Sequence, residues 1–333
     1  MIRKRMTAVL TAMGCAAGIL PLGGCGAQTP DEEKLTIVTT VFATYDLAVQ
    51  LAEKLEIPYE VELLLTPGGE SHSYEPSPAD VAAIQSCDLF IYIGGASEQW
   101  ADSLLESIGR TNEETIPGKR NLRLMDCITP LEDAHDHAHD DDHAHDDDHA
   151  HDHEAERLTY DEHIWTSPEN AYLMMHEIAL ELYTVAPEAI GRLQGAETAV
   201  AVELEALIGE YAEAAAEAKG DTLIFADRFP FRYMTERYGW KYYAAFSGCS
   251  SDTDASAATL SFLISKVKEE GIDTVFYLEN SSQKISDAVC AATGAKAVCL
   301  QSLNNVSKAD FESGKHYQDF MRENLAAIKE ALN

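Results

Sequence analysis

Basic residues are scarce in this chain of 333 residues. Only 24 lysines and arginines face 57 aspartates and glutamates, a formal net charge of −33. The stretch from Glu132 to Glu154 alone holds eleven acids and no base, which still leaves −22 on the rest. Nucleic acid and anionic membrane surfaces would both be repelled by such a chain, whereas a cation suits it as a ligand. Cysteines are few and poorly spaced for bonding. None of the seven forms a CxxC pair. Beyond Cys25, the remaining five (Cys87, Cys127, Cys249, Cys290 and Cys299) are odd in number, which denies a complete disulfide framework. Cys87, Cys290 and Cys299 sit in or beside apolar runs and are expected to behave as small buried hydrophobes. Catalytic signatures are missing too. There is no HExxH and no GxSxG, and the glycines of YIGGASEQW do not make the GxGxxG cradle of a nucleotide site.

Histidine is sparse outside one tract. Eight of the twelve lie at positions 135, 137, 139, 143, 145, 149, 151 and 153, that is His135, His137, His139, His143, His145, His149, His151 and His153. Between them stand eight aspartates, three alanines and nothing else. Such a segment has no material for a core, so residues 129–160 are expected to form a disordered loop. Neutral imidazoles beside carboxylates bind borderline divalent metals. A flexible chain, however, fixes neither ligand number nor geometry. The tract is expected to collect metal rather than select it.

The first residues read MIRKRMTAVLTAMGCAAGILPLGGCGAQTPDEEK. Arg3, Lys4 and Arg5 form a positive start, and Met6 to Leu22 is apolar or small throughout, the pattern of an export signal. Leu22-Gly23-Gly24-Cys25 resembles the bacterial lipobox, in which the cysteine receives lipid after cleavage. Residues 1–24 are thus expected as a signal peptide, Cys25 as the lipid-bearing residue, and 25–34 as a linker outside the membrane. An uncleaved anchor is the other reading, and Cys15 follows too short an apolar run to compete.

From Leu35 onward β-branched runs alternate with helical periodicity. LTIVTTVF, VELLLT, DLFIYIGG and NLRLMDC read as strands separated by TYDLAVQLAEKL, PADVAAIQSC and SEQWADSLLESIG as helices. Ser167 to Lys219 is helical with a break near Pro187, and its second part, rich in Ala, Glu and Leu, suits one long helix. The strand–helix rhythm then returns in TLIFADR, YYAAFSG, TVFYLEN and AKAVCLQ. This order implies an α/β protein of two lobes with mainly parallel sheets: residues 35–166, a connecting helical segment 167–219, and residues 220–333. Ligands of such folds bind at the carboxyl ends of strands, here in the cleft between the lobes.

Outside the tract only His72, His163, His176 and His316 remain. His72 in TPGGESHSYEPSPAD and His163 in YDEHIWTSPENA each stand just before a helix, where a lobe presents groups to a cleft. His176 and His316 read as ordinary helical residues. With GGESHSYEPSPAD, DEHIWTSPENA, SDTDASAATLSFLISKVKEEGIDTVFYLEN and YQDFMRENLAAIKEAL, nearly the whole mature chain resembles the metal-binding lipoproteins of bacterial ABC importers for zinc and manganese. The acidic, histidine-rich insertion is typical of the zinc-specific branch. The resemblance implies His72 and His163 as metal ligands and Glu279 of VFYLEN as a carboxylate ligand. It implies a third histidine opening a HDAFGYF-like segment, here matched to Ala226 in Ala226-Asp227-Arg228-Phe229-Pro230-Phe231. Asp227 is the nearest replacement, or else a structural partner of Arg228. Gln301 in CLQSLNN is a poor ligand. Asp161 stands where it could accept a hydrogen bond from a ligand ring and fix its tautomer, or simply cap the loop.

The resemblance further implies a non-enzymatic binding protein, expected as a monomer, lipid-anchored outside the membrane, that delivers Zn2+ to an ABC permease. Mn2+ is the alternative metal, favoured by carboxylates as zinc is by imidazoles. Two rivals from other classes are an extracellular zinc store or chaperone built on the tract, and a secreted zinc hydrolase. Ligands split between two lobes suit capture and release better than turnover.

Overall fold

The computed structural model describes residues 34–69, 74–110, 118–132, 160–248, 250 and 254–333. Its first half alternates β1 (Leu35–Thr39), α1 (Phe42–Ala52), β2 (Tyr59–Leu63), α2 (Pro78–Ser86), β3 (Leu89–Tyr92), α3 (Gln99–Ser107) and β4 (Arg120–Arg123). These strands form one sheet in the order β2-β1-β3-β4, and every pairing is parallel. A parallel sheet covered on both faces needs apolar residues on both, which is why β3 (LFIY) is buried at every position. Serine at position 77 and Asp80 close a capping box on α2, with Pro78 in its first turn, so the sequence itself sets where that helix begins. The expected strand NLRLMDC is shorter than its apolar content suggests. After Arg123 it tightens into a 3-10 turn, Leu124–Cys127, and the Met125 N–H donates to Ile93 O.

Two helices follow, α4 (Pro168–Val185) and α5 (Ile190–Glu217), separated by the turn at Pro187. Along α5 the buried residues are Leu193, Ala196, Val200, Leu204, Leu207, Tyr211 and Ala214. Steps of three and four make one stripe on a helix. With 28 residues it runs for roughly 42 Å. The stripe packs against α4 and α1 of the first half and against α6 and α10 of the second. That second half is β5 (Thr222–Phe229), α6 (Arg232–Tyr238), β6 (Lys241–Ser247), α7 (Ala257–Glu270), β7 (Thr274–Leu278), α8 (Lys284–Thr293), β8 (Lys296–Leu300), α9 (Lys308–Ser313) and α10 (Tyr317–Leu332). Its sheet order is β6-β5-β7-β8, again wholly parallel. The two-lobed α/β expectation holds.

One apolar cluster joins the lobes, combining Leu47 and Leu51 of α1, Leu204 and Leu207 of α5, and Phe225, Phe276 and Phe320 beyond them. Each sheet has a smaller cluster on its outer face, around Phe90 and around Val275. The lobes are also fastened by backbone. Leu303, buried yet left-handed at φ +59°, turns the chain after β8 so that the Leu303 and Asn304 carbonyls accept the Ala43 and Phe42 N–H groups. The first turn of α1, which has no side-chain cap, is thus satisfied by the other lobe.

His316 corrects the expectation of an ordinary helical residue. It is the N-cap of α10, and its Nδ1 lies 2.9 Å from Asp46 Oδ1 on α1. His176 does sit within α4, where its ring meets Glu197 of α5 at 2.7 Å. Among the described cysteines, all free, Cys87 is buried, whereas Cys127, Cys290 and Cys299 are only partly so. No described helix is long and apolar enough to cross a membrane. The expected signal peptide, Cys25, Cys249 and the histidine tract lie outside the described residues.

Candidate metal centre

Five strand ends and the segment before α4 converge on a cleft of about 210 Å³. Its lining comes from Gly68 and Gly69 after β2, His163 before α4, and Arg228 and Pro230 at the end of β5. Gly248 after β6, Leu278 to Asn280 after β7, and Ser302, Asn304 and Asn305 after β8 complete it. The cleft thus lies where strand order in parallel sheets leaves loops free to build a site.

His163 is held more firmly than its loop position suggests. It is only 2% exposed. The Asp161 Oδ1 accepts its backbone N–H at 2.8 Å and meets its ring Nδ1 at 3.0 Å. A carboxylate oxygen accepts and does not donate, so Nδ1 carries the proton there and the ring's lone pair falls to Nε2. Asp161 is placed in turn by the Tyr233 hydroxyl, which donates to the Asp161 carbonyl at 2.7 Å, and by Leu131, whose carbonyl accepts the Asp161 N–H at 2.9 Å. The Thr166 hydroxyl contacts both the His163 carbonyl and the Pro230 carbonyl. Trp165 donates its indole N–H to Ser302 O at 2.7 Å. The loop is therefore anchored to both lobes.

Two glycines permit that anchoring. A Cβ on Gly95 would lie 2.2 Å from Glu162 Cβ, and one on Gly248 would lie 3.0 Å from His163 Cε1 and 2.9 Å from Phe229 O. Of the Gly94-Gly95 pair, unsuited to phosphate, Gly95 makes room for the chain beside the histidine, while Gly94 lies against the Arg123 side chain. Glu162 itself points the other way, accepting the Ser97 N–H at 2.9 Å and bonding the Ser97 hydroxyl. Beside it, the buried Glu98 accepts the Ile93 and Gly94 N–H groups at 2.6 and 2.9 Å. Burial pushes the Glu98 carboxyl up to about 7 despite those bonds, with Glu162 adding to the rise.

Across the cleft Glu279 accepts the Ser302 N–H at 2.7 Å and bonds the Ser302 hydroxyl. Burial raises its carboxyl to about 7 and the neighbouring Asp227 contributes, while the Ser302 bonds oppose the rise. A carboxylate kept this dry favours either a proton or a cation at its side. His163 and Glu279 thus face one cleft. Asp227 does not line it: its two oxygens accept the Arg228 N–H at 2.8 Å and the Leu278 N–H at 3.1 Å, stapling β5 to β7. Gln301 is also absent from the lining and exchanges backbone hydrogen bonds with the Asn324 amide. His72 lies outside the described residues. Among those described, no group of three His, Cys, Asp or Glu side chains is placed to hold an ion.

Ala226, the position matched to the family's third histidine, does not line the cleft. Ala226 is buried in the outer apolar cluster with Leu263, Val275 and Val289, and β5 presents Arg228 to the cleft instead, two residues later. The register of β5 on β6 slips between Phe225 and Arg228. That irregularity ends the simple alternation of faces along β5. Asn280, Asn304 and Asn305 were also overlooked. Asparagines in the loops that follow parallel strands were the available signal.

The family model described as zinc-uptake complex component A, periplasmic (ZnuA), matches residues 37–331. Over 330 residues the chain is 31% identical to the zinc-binding lipoprotein AdcA of Streptococcus pneumoniae serotype 4, covering 99% of this chain and 61% of that protein. The chain therefore spans about three fifths of the length of this streptococcal relative. It is 30% identical over 307 residues to the high-affinity zinc uptake system protein ZnuA of Bacillus subtilis, covering 92% and 90% of the two chains. Among solved structures, the Zn(II)-bound ZnuA-like domain of S. pneumoniae AdcA has a TM-score of 0.71 at 28% identity, covering 90% of this chain and 99% of that one. The metal-dependent lipoprotein YcdH from B. subtilis has a TM-score of 0.72 at 26% identity, covering 90% and 100%.

Proposed function

Since the chain belongs to the ZnuA family of zinc-uptake components, we propose that it captures zinc outside the cytoplasm and delivers it to an ABC importer's membrane permease. The observation that carries this reading is the meeting of His163, with its tautomer set by Asp161, and the half-buried Glu279 at one cleft between two lobes. Imidazole and carboxylate are both zinc ligands. We place His72 as a third ligand: it follows the cleft-lining Gly69 by three residues, within a chain reach of roughly 11 Å. The relatives named above are called zinc-binding or zinc-uptake proteins, which supports zinc; manganese is the alternative where carboxylates dominate. The mature protein acts as a monomeric binder rather than an enzyme and is tethered by lipid on Cys25. Its domains divide at 35–166, 167–219 and 220–333. The tract from His135 to His153 feeds the cleft with loosely held metal, because Tyr160 returns the chain three residues before His163.

Competition titration of the purified mature protein with a zinc chelator tests this. One tight equivalent is expected. His72→Ala, His163→Ala and Glu279→Gln should each weaken it by more than the roughly 10–100-fold typical of losing an outer partner. Unchanged titrations in all three variants would refute the assignment.

A further inference from the structure

The two lobes meet at Ser302, a buried residue just past β8. Its N–H donates to Glu279 Oε2 at 2.7 Å and its hydroxyl donates to Oε1. The Asn304 N–H donates to that hydroxyl oxygen at 3.3 Å, which steadies it from behind. The Ser302 carbonyl accepts the Trp165 indole N–H at 2.7 Å, and that indole lies against the His163 ring with centroids 5.4 Å apart. Next in the chain, the left-handed Leu303 gives its carbonyl to the Ala43 N–H of the first lobe. Ser302 is thus fixed by its surroundings, and Glu279 is held to it.

Reach decides which edge of the carboxylate is held. Each oxygen offers two lone pairs in the carboxylate plane. The inner ones run side by side, and the outer ones point away on opposite sides. The N–H and O–H of one serine stand close together. They can meet both oxygens only along the inner edge, as the two prongs of a guanidinium do. A metal that chelates a carboxylate through both oxygens needs that same edge.

We propose that Ser302 is a positioning residue that sets metal choice: by occupying the chelating edge of Glu279, it leaves the cargo one oxygen of that carboxylate, which suits zinc and disfavours manganese. Zinc is complete with four ligands, and His72, His163, one Glu279 oxygen and a water supply them. Manganese takes an octahedral, oxygen-rich shell and loses the donor that a chelating carboxylate would add. This selection rests on the metal-capture reading above and deepens it by naming what chooses between its two candidate metals.

Chelator-competition titrations with Zn2+ and with Mn2+ test it, on the mature wild type, Ser302→Ala and Ser302→Thr. The alanine variant keeps the N–H on Oε2 and frees Oε1. Its ratio of zinc to manganese affinity should fall by about tenfold, the lower end for an outer partner. Threonine keeps both donors and should restore the parental ratio. Equal losses for both metals in the alanine variant would reduce Ser302 to scaffolding and overturn the proposal. Co2+ in place of zinc gives a reading on the wild type alone. Intense visible bands of a four-coordinate ion are expected, and the weak bands of an octahedral one would overturn the proposal. Failure of the wild type to bind either Zn2+ or Mn2+ would instead remove the metal-capture reading itself.

Discussion

Asp161 offers the sharpest test of how the cleft is built. One of its oxygens receives two donors from the same residue, the His163 N–H at 2.8 Å and ring Nδ1 at 3.0 Å, and Asp161 is 3% exposed. Asp161→Asn keeps an oxygen able to accept both bonds but removes the charge that makes the imidazole more basic. Losing such outer partners costs roughly 10–100-fold in metal affinity, and the isosteric change belongs near the lower end, about 1.4 kcal/mol. Asp161→Ala goes further, because it strands two buried donors at about 1–3 kcal/mol each. It should therefore approach the upper end in zinc affinity and also lower folding stability by about 2–6 kcal/mol. Chelator competition measures the first effect and urea unfolding of the metal-free protein the second. The reasoning predicts an order: the asparagine variant weak in binding but stable, the alanine variant weak in both. An asparagine variant that binds zinc like the parent would show that Asp161 only shapes the loop and does nothing for the ring.

Three further outcomes follow from other contacts. Gly248→Ala would bring a Cβ to 2.9 Å from Phe229 O and 3.0 Å from His163 Cε1, so it should displace the ring and cost about tenfold in zinc affinity; an unchanged titration would mean the loop yields freely. Deleting residues 135–153 should remove several weak zinc equivalents in calorimetry and retain the tight one, whereas loss of the tight equivalent would make the tract the main site. The His316 pKa is raised above the ordinary value of about 6.5, chiefly by its hydrogen bond to Asp46. A raised histidine stabilises fully below its unfolded value and loses that contribution as pH rises through the folded one. Urea midpoints of the wild type should therefore fall relative to His316→Gln as pH climbs from 6 upward, modestly because the ring is partly exposed; parallel pH profiles would discount the link.

Much of this architecture was legible in the chain. Fully buried strands such as LFIY announce themselves as continuous apolar runs, and the Ser77–Pro78–Asp80 start of α2 carries its own boundary. What was not legible has physical causes. The six-residue α9 buries none of its residues and so shows no periodic face to detect. His316 lies before α10 rather than in it because the Asp319 carboxylate returns to its N–H, a local bond that periodicity does not register. The place of Arg228 depends on a register slip between neighbouring strands, which is a property of the pair. His163 and Glu279 could be nominated from local motifs, but their meeting at one cleft depends on packing between residues more than a hundred positions apart, such as Trp165 on Ser302.

The antiparallel bridge between Glu132 and Tyr160 has an evolutionary consequence. It sets the two ends of residues 133–159 side by side, so neither sheet depends on how much chain lies between them. Doubling such a closed segment costs only about 0.6 kcal/mol in closure entropy. The repeated HAHDDD units can therefore be duplicated or trimmed by replication slippage with no compensating change in the fold. One residue past the bridge that freedom ends, because Asp161 to His163 is packed between Gly95 of one lobe and Gly248 of the other. Tract length can thus change freely, while the stretch that follows admits almost no change.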